Sequence, residues 1–262
     1  MKLSRRYVEK PWGRTDLPGF VSAPEGRKIG EVWFTAQQDL PLLAKYIFTS
    51  ERLSVQVHPD DQQARARGLM QGKSECWLIL DAEPGAVVGF GLKREASRQA
   101  LRAAAVDGSI EDLLDWRPVR RGDLVYVAGG TVHAIGAGLT LLEFQQNVDV
   151  TYRLYDYGRP RELHLDEAVS VANLGPSAAE CFHHVSMDED RLLVDGPKFT
   201  LALASEDRMS DRRRWVLPLE GAVRAGEDVA RAGDCLLVDA GAGAEFEDAR
   251  ALVGAVYEAP PA

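Results

Sequence analysis

Two of the chain's five histidines lie near other groups that can bind a metal ion. His58 ends a short alternating segment that also contains Gln56, and in a strand these two side chains would project from the same face. Glu75 begins an apolar run, and His133 follows a glycine-rich turn. Two imidazoles, one carboxylate and one amide oxygen suit Zn²⁺ with an open position for water, and they also suit Mn²⁺, Fe²⁺ or Co²⁺. The residue types therefore predict a divalent-metal site.

A second set of polar residues alternates along one predicted strand. The set comprises Glu143, Gln145, Asn147, Asp149 and, further on, Arg153. Side chains two residues apart share a face, so this pattern inside a β-barrel indicates a ligand pocket. The same pattern also fits an edge strand that faces solvent, and both interpretations stay open.

Three basic residues near these groups favour an anionic substrate. Lys73 lies two residues before Glu75 and, in an extended segment, faces the same side, while Arg153 and Arg159 follow the polar segment. The whole chain has a formal charge of −9, which argues against a nucleic-acid interface because phosphate backbones need a basic surface. The run Arg212–Arg214 stands beside an aspartate and predicts a solvated turn.

The elements that must position these residues are mostly short strands between Gly, Pro and Asp turns. The predicted strands are residues 31–35, 42–48, 53–58, 75–81, 87–90, 123–127 and 140–146. The predicted helices are residues 97–106, 110–116 and 166–174, with one further turn from Asp60 to Ala66. The sequence thus predicts a mainly β protein with a few short helices.

A weak internal repeat predicts two β-barrel halves. Gly122 to Gly130 aligns with Gly233 to Gly241 at an offset of 111 residues, and barrels reuse such a Gly-Asp turn before a short apolar strand. Chance similarity is the alternative. His133 falls opposite Ala244, so the second half is expected to lack metal ligands.

The expected domain boundary lies near residue 175. Residues 1–175 would form a metal-binding catalytic domain with a helical segment near residues 94–116. Residues 176–262 would form a smaller domain without metal ligands, beginning with a strand in the stretch 180–190. The chain has three cysteines in no metal-like spacing, a polar N-terminus and no apolar run of about 18 residues, which together predict a cytoplasmic protein without a membrane partner.

The order of several motifs resembles that of the type I mannose-6-phosphate isomerases. The motifs are Lys10-Pro11-Trp12-Gly13, Ile29-Gly30-Glu31-Val32-Trp33, Leu53 to Asp61, Gly72 to Trp77, Gly130 to Ala134, and Gln146 to Asp149 with Tyr152-Arg153. They span residues 10–161, and the ordered set is more specific than any single motif. The resemblance implies a fold of two cupin-type jelly-roll β-barrel domains, with a metal in the first.

The resemblance also implies roles for individual residues. The implied zinc ligands are Gln56, His58, Glu75 and His133. Ser54 would contact the substrate phosphate, Lys73 would face the substrate, and Arg153 would be the active-site arginine. Arg159 stands where the family has a lysine at the phosphate, which keeps the charge but changes its geometry.

The implied reaction interconverts mannose 6-phosphate and fructose 6-phosphate through a cis-enediol. It needs a base for the carbon-bound proton and positive charge near the enediolate oxygens. Glu143 and Asp149 are the candidate bases, Lys73 and Arg153 the candidate cations. Ser54, Lys73, Asn147 and Arg159 are the candidate substrate-binding residues.

Two other functions fit a cupin fold. A cupin oxygenase would use redox-active iron, and Gln56 in a ligand position argues against it. A sugar-phosphate-binding cupin without catalysis would be favoured if no metal were bound. No pattern in the sequence indicates an oligomeric state.

Overall fold

The structure, a computed structural model, describes residues 1–22 and 26–257. The first twelve strands are β1 (Ser4–Arg14), β2 (Ile29–Thr35), β3 (Leu42–Thr49), β4 (Val55–Val57), β5 (Glu75–Ala82), β6 (Val87–Leu92), β7 (Leu114–Pro118), β8 (Asp123–Val127), β9 (His133–Ile135), β10 (Leu139–Gln146), β11 (Tyr152–Tyr155) and β12 (Phe182–His184). The others are β13 (Arg191–Asp195), β14 (Phe199–Ala204), β15 (Arg214–Ala225), β16 (Asp228–Arg231), β17 (Leu236–Val238) and β18 (Glu245–Val256). The helices are α1 (Asp61–Arg65), α2 (Arg98–Asp107), α3 (Ile110–Leu113) and α4 (Leu165–Val171), with a 3-10 turn at Ala179–Cys181.

Two antiparallel sheets form the first barrel. One has the strand order β1-β2-β3-β10-β5-β8-β12, and the other has the order β11-β4-β9-β6-β7. Side chains from both sheets meet in one apolar cluster that includes Trp77, Phe90, Ile135 and Leu141. This cluster closes the sheets on each other, as in a jelly roll.

The second barrel is built from the order β13-β14-β18-β15-β16, with β17 pairing β15. It packs on the outer face of the larger first-barrel sheet, where Tyr46 and Phe144 meet Phe199 and Trp215. On the opposite side, α2 and α4 cover the outer face of the smaller sheet. Both faces of each first-barrel sheet are therefore packed against a partner layer.

The two-residue period of the strands places the polar groups inside the first barrel. On β10, Leu142 and Phe144 point to the second barrel, whereas Leu139 and Leu141 point into the first barrel. Glu143 continues the inward set toward one end and is 2% exposed. The barrel interior is therefore apolar at one end and charged at the other.

The mainly β fold with two barrels and few helices is confirmed. The predicted helix at residues 110–116 is wrong beyond Leu113, because Leu114–Pro118 is extended and pairs with β6. The strand expected to begin the second half is also misplaced, since β12 pairs with β8 of the first barrel. The domain boundary near residue 175 stays a prediction. Among the described residues, no helix is long and apolar enough to cross a membrane.

Candidate metal centre and active site

Three buried side chains converge at the charged end of the first barrel. His58 and Glu75 are each 1% exposed and His133 is fully buried. Ligand atoms of the three lie within 4.8 Å of one another. His58 Nε2 lies 3.4 Å from Glu75 Oε2, and His133 Nε2 lies 3.4 Å from Glu75 Oε1. The structure thus brings together three of the four predicted ligands as one cluster.

Strand pairing brings the fourth predicted ligand, Gln56, beside the cluster. Gln56 on β4 is the cross-strand partner of His133 on β9, and its Nε2 lies 3.2 Å from His133 Nε2. Its Oε1 accepts a hydrogen bond of 3.1 Å from Ser54 Oγ. Rotation of the amide by 180° would exchange these atoms, so that Oε1 faces the imidazole and Nε2 faces the hydroxyl.

Close backbone approach fixes the loop that follows His58. A Cβ atom on Gly72 would lie 2.6 Å from Pro59 O, and one on Gly129 would lie 2.6 Å from Asp60 Cα. The backbone after His58 therefore packs closely against Gly72 and Gly129, and only glycine fits at these two positions. Lys73 N donates to Pro59 O at 3.0 Å, which ties this loop to the segment that carries Glu75.

The hydrogen bonds of the cluster leave lone pairs facing its centre. His133 Nδ1 donates to Thr131 O at 2.8 Å, so the neutral ring carries its lone pair on Nε2, toward Glu75. Burial lowers the pKa of both His58 and His133, which keeps the imidazoles neutral and able to bind metal. Trp77 Nε1 donates to Glu75 Oε1 at 3.1 Å and orients that carboxylate.

The cluster already favours positive charge at its centre. Lys73 Nζ lies 2.7 Å from Glu75 Oε2 and 3.0 Å from His58 Nε2. Burial would raise the pKa of Glu75, but the Lys73 ammonium beside it outweighs burial and holds this pKa well below its usual range. Two imidazoles, an ionised carboxylate and an amide fit a divalent ion such as zinc, and we find the residues compatible with one.

A second charged cluster, formed by Glu31, Lys45 and Glu143, lies next to the metal-binding groups. Lys45 Nζ is 3.1 Å from Glu143 Oε1 and 4.0 Å from Glu31 Oε1. Burial alone would lower the pKa of Lys45, but the two carboxylates raise it above its usual value. Burial, followed by the negative charge of Glu75, raises the pKa of Glu143 to about 7.

A cation-rich cavity opens above both clusters. Its charged lining consists of Lys10, Lys45, Lys73, Arg153, Arg161, Glu31 and Glu143, with Ser54, Gln56 and Thr151 among the polar residues. It adjoins a second cavity of similar size, about 70 Å³, which shares Lys10, Lys45 and Lys73. Five cations against two carboxylates give this cavity local positive charge in an acidic protein. A larger cavity of about 290 Å³ lies between the barrels, but its lining is mainly apolar.

The remaining predicted site residues lie at different distances from the metal-binding groups. Asp149 and Asn147 both line the second cavity, but they lie in a loop after β10 and not on the strand. Asn147 Nδ2 donates to Leu40 O at 2.7 Å. Arg159 pairs with Asp156 at 3.1 Å and donates to Arg52 O at 2.6 Å, so its guanidinium is engaged outside the cation-rich cavity.

Sequence reasoning missed Lys10, Glu31, Lys45 and Arg161 as site residues. Lys45 is 6% exposed inside an otherwise apolar strand, and a lysine flanked by Leu43 and Ile47 at alternate positions was the available signal. Arg161, not Arg159, lines the cavity, held by a bidentate pair with Asp156. The conformation of the loop determines which of the two arginines reaches the cavity. Hydrophobic periodicity in the sequence does not predict that conformation.

Comparisons with known proteins identify the family of the chain. No protein-family model matches the chain. Mannose-6-phosphate isomerase of Streptococcus mutans is 39% identical over 169 residues, which are 62% of this chain and 53% of that protein. Mannose-6-phosphate isomerase ManA of Bacillus subtilis is 31% identical over 92% of this chain and 93% of its own length. A crystal structure of the mannose 6-phosphate isomerase from Bacillus subtilis superposes with a TM-score of 0.82 at 25% identity, over 97% of this chain and 98% of that one. The chain belongs to the mannose-6-phosphate isomerase family.

Proposed function

We propose that the protein is a zinc-dependent isomerase that interconverts mannose 6-phosphate and fructose 6-phosphate through a cis-enediol. The observation that carries the proposal is the buried His58–Glu75–His133 cluster beneath a cation-rich cavity. The names of its full-length relative and of its structural neighbour support the substrate.

Charge in the cavity suits a sugar phosphate. Arg153 and Lys10 present cations at the cavity, and Ser54 offers a hydroxyl beside Gln56. Among the described residues, Arg153 Nε and Gln145 Oε1 are buried and have no protein partner. A substrate phosphate or hydroxyl oxygen would accept from Arg153 Nε, and a substrate hydroxyl would donate to Gln145 Oε1; such pairing matters because unpaired buried polar atoms are costly.

Gln56, His58, Glu75 and His133 would hold the metal. A bound divalent ion supplies positive charge that polarises substrate oxygens. Among the protein's own groups, Lys73 and Arg153 stabilise negative charge as it develops on the enediolate oxygens. Zinc as the native ion and a cytoplasmic location stay predictions.

Glu143 is the better placed of the two candidate bases. It is 2% exposed, lies 3.8 Å from Lys73 and is oriented by Lys45. Its pKa, raised to about 7, suits a group that takes and returns a proton near neutral pH. Asp149 lies in the loop of the adjoining cavity. We therefore assign proton transfer to Glu143 and keep Asp149 as the alternative.

The first test is a coupled assay of fructose 6-phosphate formation from mannose 6-phosphate by metal-reconstituted protein. We expect turnover that a chelator abolishes. Glu75→Ala should bind zinc at least 100-fold more weakly and lose turnover in parallel, because a ligand contributes more than the outer partners whose loss costs about 10–100-fold. Isothermal titration with Zn²⁺ measures the affinity.

Glu227→Ala is the matched control, because Glu227 is exposed on the second barrel. It should keep wild-type affinity and turnover. Circular dichroism checks that Glu75→Ala is folded, and Glu75→Gln serves as a closer isostere. Full metal content with full turnover in both Glu75 variants would refute the ligand assignment. Bound zinc without turnover of the wild type would favour a binding role.

The second test separates the candidate bases by pH dependence. A carboxylate base works only when ionised, so kcat should rise with pH through the pKa of Glu143. A bound cation favours the ionised form, which places this limb at or below pH 7. Glu143→Gln should lower kcat by about 10²–10⁴-fold, remove the limb and leave zinc bound. If Asp149→Asn has this effect instead, the assignment moves to Asp149.

A further inference from the structure

A chain of polar contacts links the second barrel to the candidate metal centre. Lys198 lies just before β14 of the second barrel, and its ammonium donates to Asp61 Oδ2. Asp61 is the first residue of α1, three residues after His58. The contact therefore joins the second barrel to the helix that follows the predicted ligand His58.

Asp61 connects two segments of the first barrel. Its Oδ1 accepts from Gly72 N at 2.8 Å and from Gln146 Nε2 at 2.9 Å. Lys198 and these donors together lower the pKa of Asp61 to about 2, although partial burial opposes this. The carboxylate is thus charged and bonded at both oxygens.

Gln146 carries the chain of contacts to the segment that holds Glu75. Its Oε1 accepts from Ser74 N at 3.0 Å, while its backbone N donates to Ser74 O at 3.1 Å. Ser74 is 4% exposed and lies between Lys73 and Glu75. Its Oγ accepts from Gly129 N at 3.2 Å, which reaches the turn before His133.

Aromatic packing fixes the position of Lys198. The next residue, Phe199, is fully buried and contacts Tyr126 and Phe144 of the first barrel at ring-centroid distances of 5.8 and 5.4 Å. Lys198 therefore directly precedes a buried contact between the two barrels.

We propose that Lys198 is a positioning residue for the metal centre, through which the second barrel holds the His58 and Glu75 segments in register by way of Asp61 and Gln146. The role in metal binding rests on the proposed function. The mechanical role, holding two segments together, does not.

Hydrogen exchange of the metal-free protein tests the mechanical role. Lys198→Met removes the charge and keeps the length of the side chain. We expect the amides of Gly72 and Ser74, which donate into this network, to exchange about tenfold faster, because charge-assisted bonds suppress local opening. Lys198→Arg should restore slow exchange.

Lys2→Met is the matched control. Lys2 forms another lysine–aspartate pair at the second barrel, 2.8 Å from Asp234, away from the metal centre. It should leave the exchange of Gly72 and Ser74 unchanged. Equal acceleration in Lys2→Met and Lys198→Met would show a general loosening of the barrels and would overturn the proposal.

Metal titration, without sugar, tests the consequence for the ligands. We expect Lys198→Met to weaken Zn²⁺ binding about tenfold and to alter the visible spectrum of bound Co²⁺. In an Asp61→Asn background, Lys198→Met should have no further effect, because residues on one network are not additive.

The outcomes separate this proposal from the proposed function. Additive effects of the Lys198 and Asp61 variants, or unchanged exchange and metal affinity in Lys198→Met, would overturn the positioning role and leave the isomerase intact. If the wild type binds no metal and Lys198→Met still accelerates the exchange of Gly72 and Ser74, the metal centre is refuted. The mechanical role of Lys198 is then supported.

Discussion

The two barrels use their interiors in different ways. One end of the first barrel buries Lys45, Glu75 and Glu143, each 6% exposed or less. The interior cluster of the second barrel includes Ala204, Val216, Val223, Ala230 and Val253, which are small and apolar. Burial of charge is costly unless it is paired, so the first barrel retains an arrangement that packing alone would not favour. The difference supports the proposed division of roles, with chemistry in the first barrel and stability in the second.

The backbone of the internal repeat is nevertheless the same in both barrels. Asp123 N donates to Arg120 O at 3.0 Å, and Asp234 N donates to Arg231 O at 2.9 Å. The carboxylates of Asp123 and Asp234 accept from the same arginine amides, at 2.8 and 3.0 Å. The glycines before them have φ of +87° and +90°. The two copies therefore share the geometry of the Gly-Asp turn.

The copies diverge in what their turn carbonyls accept. Thr131 O accepts from His133 Nδ1 and so orients a predicted ligand. The equivalent carbonyl, that of Ala242, accepts from Arg214 Nη2 at 2.7 Å. Arg214 also forms a bidentate pair with Asp207, at 2.8 and 2.7 Å. An arginine–aspartate pair thus ties the turn of the second barrel where the first has a candidate metal centre.

Arg214→Met should produce the largest change in this comparison. Arg214 is fully buried, and its loss leaves Asp207 Oδ1 and the Ala242 carbonyl without their arginine donor. We expect unfolding free energy to fall by about 3 kcal/mol, as for other broken buried pairs. Denaturant unfolding measures this loss, and zinc affinity should stay near wild type.

The neighbouring Arg213 provides the control. Its pair with Asp239 is exposed, so Arg213→Met should change stability by less than about 0.5 kcal/mol. Equal effects of the two variants would show that the buried pair does not hold the second barrel together. A large loss of zinc affinity in Arg214→Met would break the division of roles between the barrels.

Much of the fold was predictable because its strands obey simple periods. The strand at residues 123–127 has the predicted bounds, and the strand predicted at 75–81 ends one residue later, at Ala82. The candidate ligands could be picked out because His58 ends an alternating segment that contains Gln56, and His133 follows a glycine-rich turn. Both depend on local sequence, where alternation and turn residues carry the signal.

The features that the sequence did not predict depend on contacts between segments that are distant in the chain. Arg214 was expected in a solvated turn, but the turn of Ala242 and the side chain of Asp207 bury it. Lys45 meets Glu31 and Glu143 only when β2, β3 and β10 are side by side. Charge pairs across strands have no period in the sequence, so they were missed.

The two copies of the repeat also differ in the residue type that one turn position accepts. Gly129 of the first copy aligns with Ala240 of the second. A Cβ on Gly129 would lie 2.6 Å from Asp60 Cα, whereas Ala240 is exposed and carries its Cβ without hindrance. The close approach of the loop after His58 is therefore what requires glycine at residue 129.

Gly129→Ala should therefore displace the loop after His58 and leave intact the turn before His133, which contains residue 129. Overpacking of this kind costs about 1–3 kcal/mol, and here part of that cost should appear as weaker zinc binding. Ala240→Gly is the reciprocal change and should lower stability by no more than about 1 kcal/mol, through the unfolded chain, without altering zinc affinity. Zinc titration and denaturant unfolding of both variants measure these effects. If Gly129→Ala bound zinc as tightly as the wild type, the turn would tolerate the second barrel's residue, and the glycine would have no part in placing His58.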